Sequence, residues 1–383
     1  MTAATTLDVF ESLITEVIEP AASEVDREGL FPRASIQALF DAGFGGLISS
    51  PEVGGSGADF TEAAAVVRRL AAACGSTAMV YAMHLSGTAA IEQLGPDSVR
   101  REIAAGRHLT TLAFSERGSR SQFWATLSTC TPVAGADDAY LLNAEKSWVT
   151  SAGEADSYVW TSRPAAAAGP STLWLVPADA AGLAVGAPFD GLGLRGNVSS
   201  PVAATDVRVH GDAMLGADGS GLDLALTHVL PWFQVLNASC SLGLCDASLD
   251  KALAHLTSTR LEHLDELLSD QAVPRGRFGR LRTSTDAASA LVADACVALG
   301  RGRPDGPLRM LQAKAIAGET AIDVTGEAMR LGGGAAFRRD IGVERHFRDA
   351  RAASVMAPTT DALHDMIARA LCGMPLLGGD PSS

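Results

Sequence analysis

The stretch LNAEKSWVTS at residues 142–151 lies at the centre of a region whose pattern differs from the rest of the chain. The stretch continues the short apolar and aromatic run at 139–143, and comparable runs rich in β-branched or aromatic residues recur before and after it in the sequence. Gly, Pro, Asp and Asn separate these runs, as expected for strands joined by turns. The pattern predicts strands at 110–114, 125–129, 139–143, 157–161, 172–176 and 202–209, within a β domain at 110–211.

Helical patterns flank this β region on both sides. In residues 1–109 apolar side chains recur every three or four positions, except at 51–59, where clustered Gly, Pro and Asp predict a loop. From 212 to 383 the helical spacing returns, with long segments at 222–260, 285–300, 308–331 and 360–371 separated by breaks at 271–279 and 332–334. The sequence therefore predicts an N-terminal helical domain, a middle β domain and a C-terminal four-helix bundle.

Composition excludes several functional classes. The chain has 383 residues and a net charge of −14, and such a surface repels nucleic-acid phosphates and anionic lipids. No apolar stretch reaches the length of a membrane span and the N-terminus lacks a secretory pattern, so we expect a cytoplasmic protein. The six cysteines form no CxxC pair or Cys/His cluster, which favours buried, reduced thiols over disulfides or a metal site.

Five segments of the sequence match the motifs of one known family, in the family's order. They are PEVGGSG at 51–57, SERGSRS at 115–121, LNAEKSWVTS at 142–151, RGRFG at 275–279, and LGGGAAF at 331–337 followed by VERHFRDAR at 343–351. With these motifs the sequence resembles the acyl-CoA dehydrogenase family over nearly its whole length. The resemblance implies the family's α+β fold, in which an N-terminal helical domain and a C-terminal four-helix bundle flank a middle β-barrel or sandwich.

The resemblance also implies FAD, bound between the β domain and the bundle and facing an acyl thioester. An isoalloxazine needs a flat apolar wall and donors at its polar edge, which Trp148 and Thr150 can supply. Backbone N–H groups of the loop at 115–121 can meet flavin and pyrophosphate oxygens. The residues expected to bind FAD are Ser115, Ser121, Trp148, Thr150, Arg275, Phe278, Arg330, Gly333, Gly334 and Thr359.

Some of these residues imply self-association. By resemblance, Arg275 and Phe278 reach the FAD of an adjacent subunit, so we expect a homodimer or a homotetramer. A plainer interpretation also exists, with Arg275 as a solvated surface residue and Trp148 as a core aromatic. Arg120 and Arg330 replace a Gly and a Gln of the family motifs, and they add positive charge near the expected FAD pyrophosphate or carrier phosphate.

The sequence departs from the family at the catalytic base. A dehydrogenase must remove the α proton of its thioester, usually with a carboxylate. Ala357 occupies the position of the family's glutamate, and the alternative position on the first long bundle helix holds Phe233. The catalytic base is therefore unassigned. Four other residues are chemically capable of the role: Glu116, Glu344, Asp361 and His364.

Three functions remain open at this point. The first is oxidation of a hydroxyacyl group on an acyl carrier protein or CoA, as in the branch of the family that makes hydroxymalonyl and methoxymalonyl extender units for polyketides. That reaction removes an O–H proton, so it needs no base at Ala357. The second is a flavin-dependent monooxygenase on the same fold, and the third is a partner subunit of a heteromeric dehydrogenase.

Overall fold

The computed structural model describes residues 3–120 and 122–377. Its N-terminal part is helical, as predicted. Asp59 caps the fourth helix by accepting from the N–H of Thr61 and of Glu62, and the Glu62 side chain accepts from the Asp59 N–H in return. The helices are α1 (Ala3–Leu13), which runs through a π-helical turn at Ile14–Ile18 into α2 (Glu19–Glu28), α3 (Arg33–Asp41), α4 (Phe60–Ala73), α5 (Gly75–Leu94) and α6 (Asp97–Ala104).

The middle part consists of two four-stranded sheets with a shared core. One has the order β1-β4-β5-β8 and the other β2-β3-β7-β6; β1 and β4 are parallel, and the remaining neighbours are antiparallel. Tyr140 of one sheet packs on Trp174 of the other, with ring centroids 5.4 Å apart. The strands are β1 (Thr110–Ala113), β2 (Thr129–Pro132), β3 (Ala139–Val149), β4 (Ser157–Ser162), β5 (Thr172–Pro177), β6 (Leu183–Val185), β7 (Ser200–His210) and β8 (Met214–Leu215).

The strand predicted at 125–129 is wrong, since pairing begins only at Thr129. The amides of Leu127 and Ser128 donate to the carboxylate of Glu116 and are not available to a neighbouring strand. The buried Glu116 carboxylate needs hydrogen-bond donors, and it takes the amides that a strand would use for pairing.

The C-terminal part is a helical bundle. α8 packs on α9, α10 and the N-terminal α4, and α13 packs against α10. The elements are α7 (Gly221–Leu224), continued by a π-helical turn at Ala225–Val229 into α8 (Leu230–Ser258), a hairpin of β9 (Arg260–Leu261) and β10 (Glu266–Leu267), α9 (Ala272–Gly300), α10 (Gly306–Ala336), α11 (Val343–Asp349), α12 (Ala352–Val355) and α13 (Thr360–Leu371). The predicted order of helical, β and helical parts is confirmed.

Two details of the predicted bundle need correction. The break expected at 271–279 is helical from Ala272, because Pro274 falls in the first turn, where a missing N–H costs nothing. The break at 332–334 is a kink within α10, where Gly333 has φ +50° and ψ −136°. Five cysteines are buried and Cys372 is exposed. Within the described ranges, no helix combines the length and apolarity needed to cross a membrane.

Candidate active site

A cleft of about 590 Å³ lies between the β domain and the bundle. Its walls come from the loop after β1, the end of β3, the loop between β6 and β7, the start of α8, and the segment after α11. Three of the predicted cofactor residues, Ser115, Trp148 and Thr150, line it together, and so do Phe233 and Ala357. The cleft therefore brings together motifs that lie more than two hundred positions apart in the sequence.

Backbone strain is concentrated around this cleft. In the described part of the chain eight non-glycine residues have positive φ, a region that side chains with a Cβ rarely adopt. Arg120, Trp148 and Leu194 line the cleft, and Ser151 and Val198 each adjoin a lining residue. Strained residues cluster where function requires a fixed geometry.

The predicted flat wall is present. Trp148 lies at the end of β3 with its side chain 59% exposed, and its indole stacks on Phe189 with ring centroids 4.2 Å apart. It is therefore not a core aromatic. Thr150, two positions further on, is buried and faces the same cleft. A planar ring entering the cleft meets an apolar face beside a hydroxyl group, which suits an isoalloxazine.

Glu116 lines the cleft but is held in a buried ion pair. Its carboxylate accepts from the Lys146 ammonium at 2.5 Å, from the Leu127 and Ser128 amides, and from the Ser128 hydroxyl. Lys146 also donates to both oxygens of Thr161, at 2.7 and 2.8 Å, and thereby ties the two sheets together. Burial by itself raises the pKa of Glu116, but Lys146 and the other donors outweigh it and leave that pKa below its ordinary value. Such a carboxylate is a weak proton acceptor.

The segment carrying Ala357 is held by a buried lysine of α10. The Lys314 ammonium donates to three backbone carbonyls, those of Ala353 at 3.3 Å, Met356 at 3.1 Å and Pro358 at 2.7 Å. Burial lowers the pKa of Lys314 to about 7. The backbone on either side of Ala357 is thus fixed, while the Ala357 amide makes no hydrogen bond within the described residues and is free to donate to a ligand.

The loop between β6 and β7 forms a wall that the sequence motifs did not reveal. The strained backbone of Leu194 is anchored by its N–H, which donates to the buried carboxylate of Asp349 at 2.6 Å. Burial raises the pKa of Asp349 to about 6. Three residues further along, Asn197 lines the cleft with a buried side-chain oxygen that has no hydrogen-bond partner in the described residues. Unpartnered buried acceptors are rare, and this one fits a site that a polar ligand completes.

The other predicted cofactor residues do not line the cleft. Thr359 caps α13 and lines a second, adjoining cavity of about 290 Å³. Arg275 is exposed in the first turn of α9, where it donates to the Ser269 and Asp270 carbonyls, and Phe278 packs against the bundle core. Arg330 pairs with Glu327, Gly333 and Gly334 are exposed at the end of α10, and Ser121 falls outside the described residues.

Three of the four candidate bases lie away from the cleft. Glu344 pairs with Arg348 at 2.7 Å, His364 pairs with Glu319 at 2.8 Å, and Asp361 is exposed on α13. Phe233 and Ala357 do line the cleft, so both positions at which the resemblance places a base belong to its wall and hold side chains that cannot accept a proton. Among the described lining residues Glu116 is the one carboxylate.

Known protein families match this chain in the same order of domains. Sequence profiles of the acyl-CoA dehydrogenase N-terminal, middle and C-terminal domains match residues 3–106, 111–207 and 219–372. This chain belongs to the acyl-CoA dehydrogenase family. It is 28% identical over 366 residues to the probable acyl-CoA dehydrogenase FadE25 of Mycobacterium tuberculosis, covering 94% of this chain and 92% of that protein.

Solved structures share the fold. Butyryl-CoA dehydrogenase from Megasphaera elsdenii has a TM-score of 0.90 at 22% identity, covering 97% of this chain and 99% of that one. The prolyl acyl carrier protein oxidase AnaB has a TM-score of 0.87 at 17% identity, covering 97% and 100%.

This acyl-CoA dehydrogenase family member is an FAD-dependent oxidoreductase. The cleft fits the cofactor, because it offers the exposed face of Trp148 beside the Thr150 hydroxyl. When bound there, FAD supplies the acceptor for a hydride.

Proposed function

We propose that this protein oxidises a hydroxyacyl group carried as a thioester on an acyl carrier protein, of the kind used to make polyketide extender units. The observation that carries the proposal is the absence of a proton acceptor at Ala357 and at Phe233, although both face the cleft. Ordinary α,β-dehydrogenation requires a base there. Oxidation of an alcohol transfers a hydride from carbon to the flavin and loses the proton from oxygen, so it does not need that base.

Thioester binding is retained in this proposal. The free Ala357 amide, fixed in place by Lys314 through the neighbouring carbonyls, is a donor for the thioester carbonyl oxygen. Asn197 also lines the cleft and offers a buried acceptor, which suits a substrate carrying a hydroxyl donor. A saturated acyl chain has no such donor and would leave the Asn197 oxygen unpaired.

A carrier protein as the source of the thioester has support from the fold. AnaB, a prolyl acyl carrier protein oxidase, shares it. We also propose that the chain assembles into a homodimer or homotetramer, because Arg275 is exposed outside the cleft of its own chain, where it remains available to a neighbour's cofactor, and Phe278 beside it is only partly buried. Sedimentation of the FAD-loaded protein tests this, and a monomer that retains its flavin would contradict the shared site.

The decisive experiment is anaerobic mixing of the FAD-loaded protein with matched thioesters. A hydroxyacyl group on an acyl carrier protein should bleach the flavin absorption, while the same group on CoA serves as the carrier control and butyryl-CoA as the control without a hydroxyl. Bleaching by butyryl-CoA at a rate equal to that with the hydroxyacyl substrate would contradict the proposal. If no thioester bleaches the flavin but the reduced flavin consumes oxygen in the presence of an amine or aromatic substrate, the protein is a monooxygenase.

A further inference from the structure

Arg120 lines two neighbouring cavities. It lines the cleft that contains Trp148, and it also lines the smaller cavity beside Thr359 at the start of α13. Gln122 and Trp124 continue the wall of the smaller cavity. A ligand long enough to extend from one cavity into the other therefore passes this arginine.

The backbone at Arg120 is unfavourable for an arginine. Its φ is +47°, a left-handed conformation in which any side chain with a Cβ crowds the backbone, whereas glycine adopts it freely. The family motif has glycine here, so the arginine replaces the residue that the geometry favours. Residues held in such conformations persist where the side chain has a use that offsets the strain.

Within residues 3–120 and 122–377, Arg120 forms no ion pair. Its neighbour Arg117 lies 4.0 Å from the Glu145 carboxylate, but no carboxylate of the described residues is within that distance of Arg120. Asp365 also lines the smaller cavity, and its carboxylate already pairs with Arg369 at 2.7 Å. A guanidinium that lines two cavities and has no carboxylate partner among the described residues suits an anionic ligand, in a chain of net charge −14.

We propose that Arg120 binds a phosphoryl group of a ligand that spans both cavities. The planar guanidinium donates paired hydrogen bonds to phosphate oxygens, which an amide or hydroxyl cannot match. Two sources present this chemistry: the diphosphate of FAD and the phosphates of the thioester's CoA or phosphopantetheine arm. The inference rests on the family's use of FAD and a thioester, and it does not depend on the hydroxyacyl proposal.

Two variants separate a ligand role from a structural one. Arg120→Gly removes the side chain and the strain together, so the melting temperature should stay the same or rise. Arg120→Gln keeps the strain and most of the bulk but loses the charge. Arg101→Gln is the matched control, because Arg101 is also exposed and lies outside both cavities.

The first measurement is the FAD dissociation constant, from the fluorescence of flavin released when the FAD-loaded protein is diluted. The second is titration of the bound flavin's spectrum with butyryl-CoA and with butyryl-pantetheine, which carries no phosphate. If the phosphoryl group is that of FAD, both Arg120 variants release flavin about tenfold to a hundredfold more readily, the range for loss of a charge-assisted hydrogen bond. If it belongs to the carrier, butyryl-CoA binding weakens by a similar factor while butyryl-pantetheine binding is unchanged.

Either pattern supports phosphate binding by Arg120 and assigns its source. Unchanged affinity for FAD and for butyryl-CoA in both variants would overturn the proposal, as would an equal loss of affinity in Arg101→Gln. A fall in the melting temperature of Arg120→Gly with unaltered ligand binding in Arg120→Gln would show that the arginine is structural.

Discussion

Placing a carboxylate at Ala357 should accelerate α,β-dehydrogenation of a saturated thioester. Ala357 is half-buried and lines the cleft, and the backbone on either side of it is fixed by Lys314, which donates to the Met356 carbonyl at 3.1 Å and the Pro358 carbonyl at 2.7 Å. A glutamate introduced here is therefore presented to the ligand by a restrained backbone. A positioned general base contributes about 10² to 10⁴-fold in rate, equivalent to about 3–5 kcal/mol of barrier. Ala357→Glu should accelerate flavin reduction by butyryl-CoA within that range.

The assay is stopped-flow absorbance of the FAD-loaded protein mixed with butyryl-CoA without oxygen. Ala357→Gln is the matched control, since it has the same size and cannot accept the proton. A glutamate variant that is no faster than the glutamine variant would show that a carboxylate at position 357 does not act as the base. Rapid bleaching by the unaltered protein would also contradict the prediction, because a base elsewhere would then be acting on the α carbon.

Three further predictions concern the groups that build the site. Lys146→Met leaves Glu116 buried without its counter-ion and should lower the free energy of unfolding by about 3–5 kcal/mol, measured by urea denaturation. The double variant with Glu116→Gln should recover part of this loss. An unchanged urea midpoint in the single variant would argue against a stabilising ion pair. The pKa of Lys314 falls from its ordinary 10.5 to about 7 in the folded protein, so between pH 7 and 10 the unfolded chain holds one proton more than the folded chain. The free energy of unfolding of the unaltered protein, relative to that of Lys314→Met, should therefore increase as pH rises from 7 to 10. A difference between the two proteins that does not change with pH would contradict the effect of burial. Trp148→Ala should weaken FAD binding by about 1 kcal/mol without lowering the melting temperature, since the indole is exposed. Trp148→Phe should retain most of the affinity for FAD. A lower melting temperature with unchanged FAD binding would make Trp148 a packing residue.

The sequence contained enough to predict the order of domains and much of one cleft wall. Trp148 and Thr150 were identifiable because they belong to the segment 142–151, which resembles a motif of the family, and both line the cleft. The start of α9 was missed because Gly276 and Gly279 are helix breakers by propensity. In the fold, packing of Phe278 against the bundle core outweighs that propensity.

Other parts of the site depend on contacts that no local pattern contains. Leu194 and Asn197 reach the cleft through a loop whose strained conformation depends on Asp349, which lies 155 positions away from Leu194 in sequence. Lys314 is a lysine on the buried face of an apolar helix. A charged residue at such a position is rarely buried without partners, so the sequence indicates that Lys314 has buried partners. Its partners are backbone carbonyls, which a search for complementary side chains does not find.

Exchange of the α hydrogens reports whether this cleft binds a thioester without a base that removes its α proton. The most direct test is to incubate the FAD-loaded protein with butyryl-CoA in heavy water and to follow the α hydrogens of the thioester by NMR. We expect the flavin spectrum to change on binding while the α hydrogens exchange no faster than in solution without protein. Protein-catalysed exchange at the α carbon would contradict this expectation, because a proton acceptor would then face that carbon.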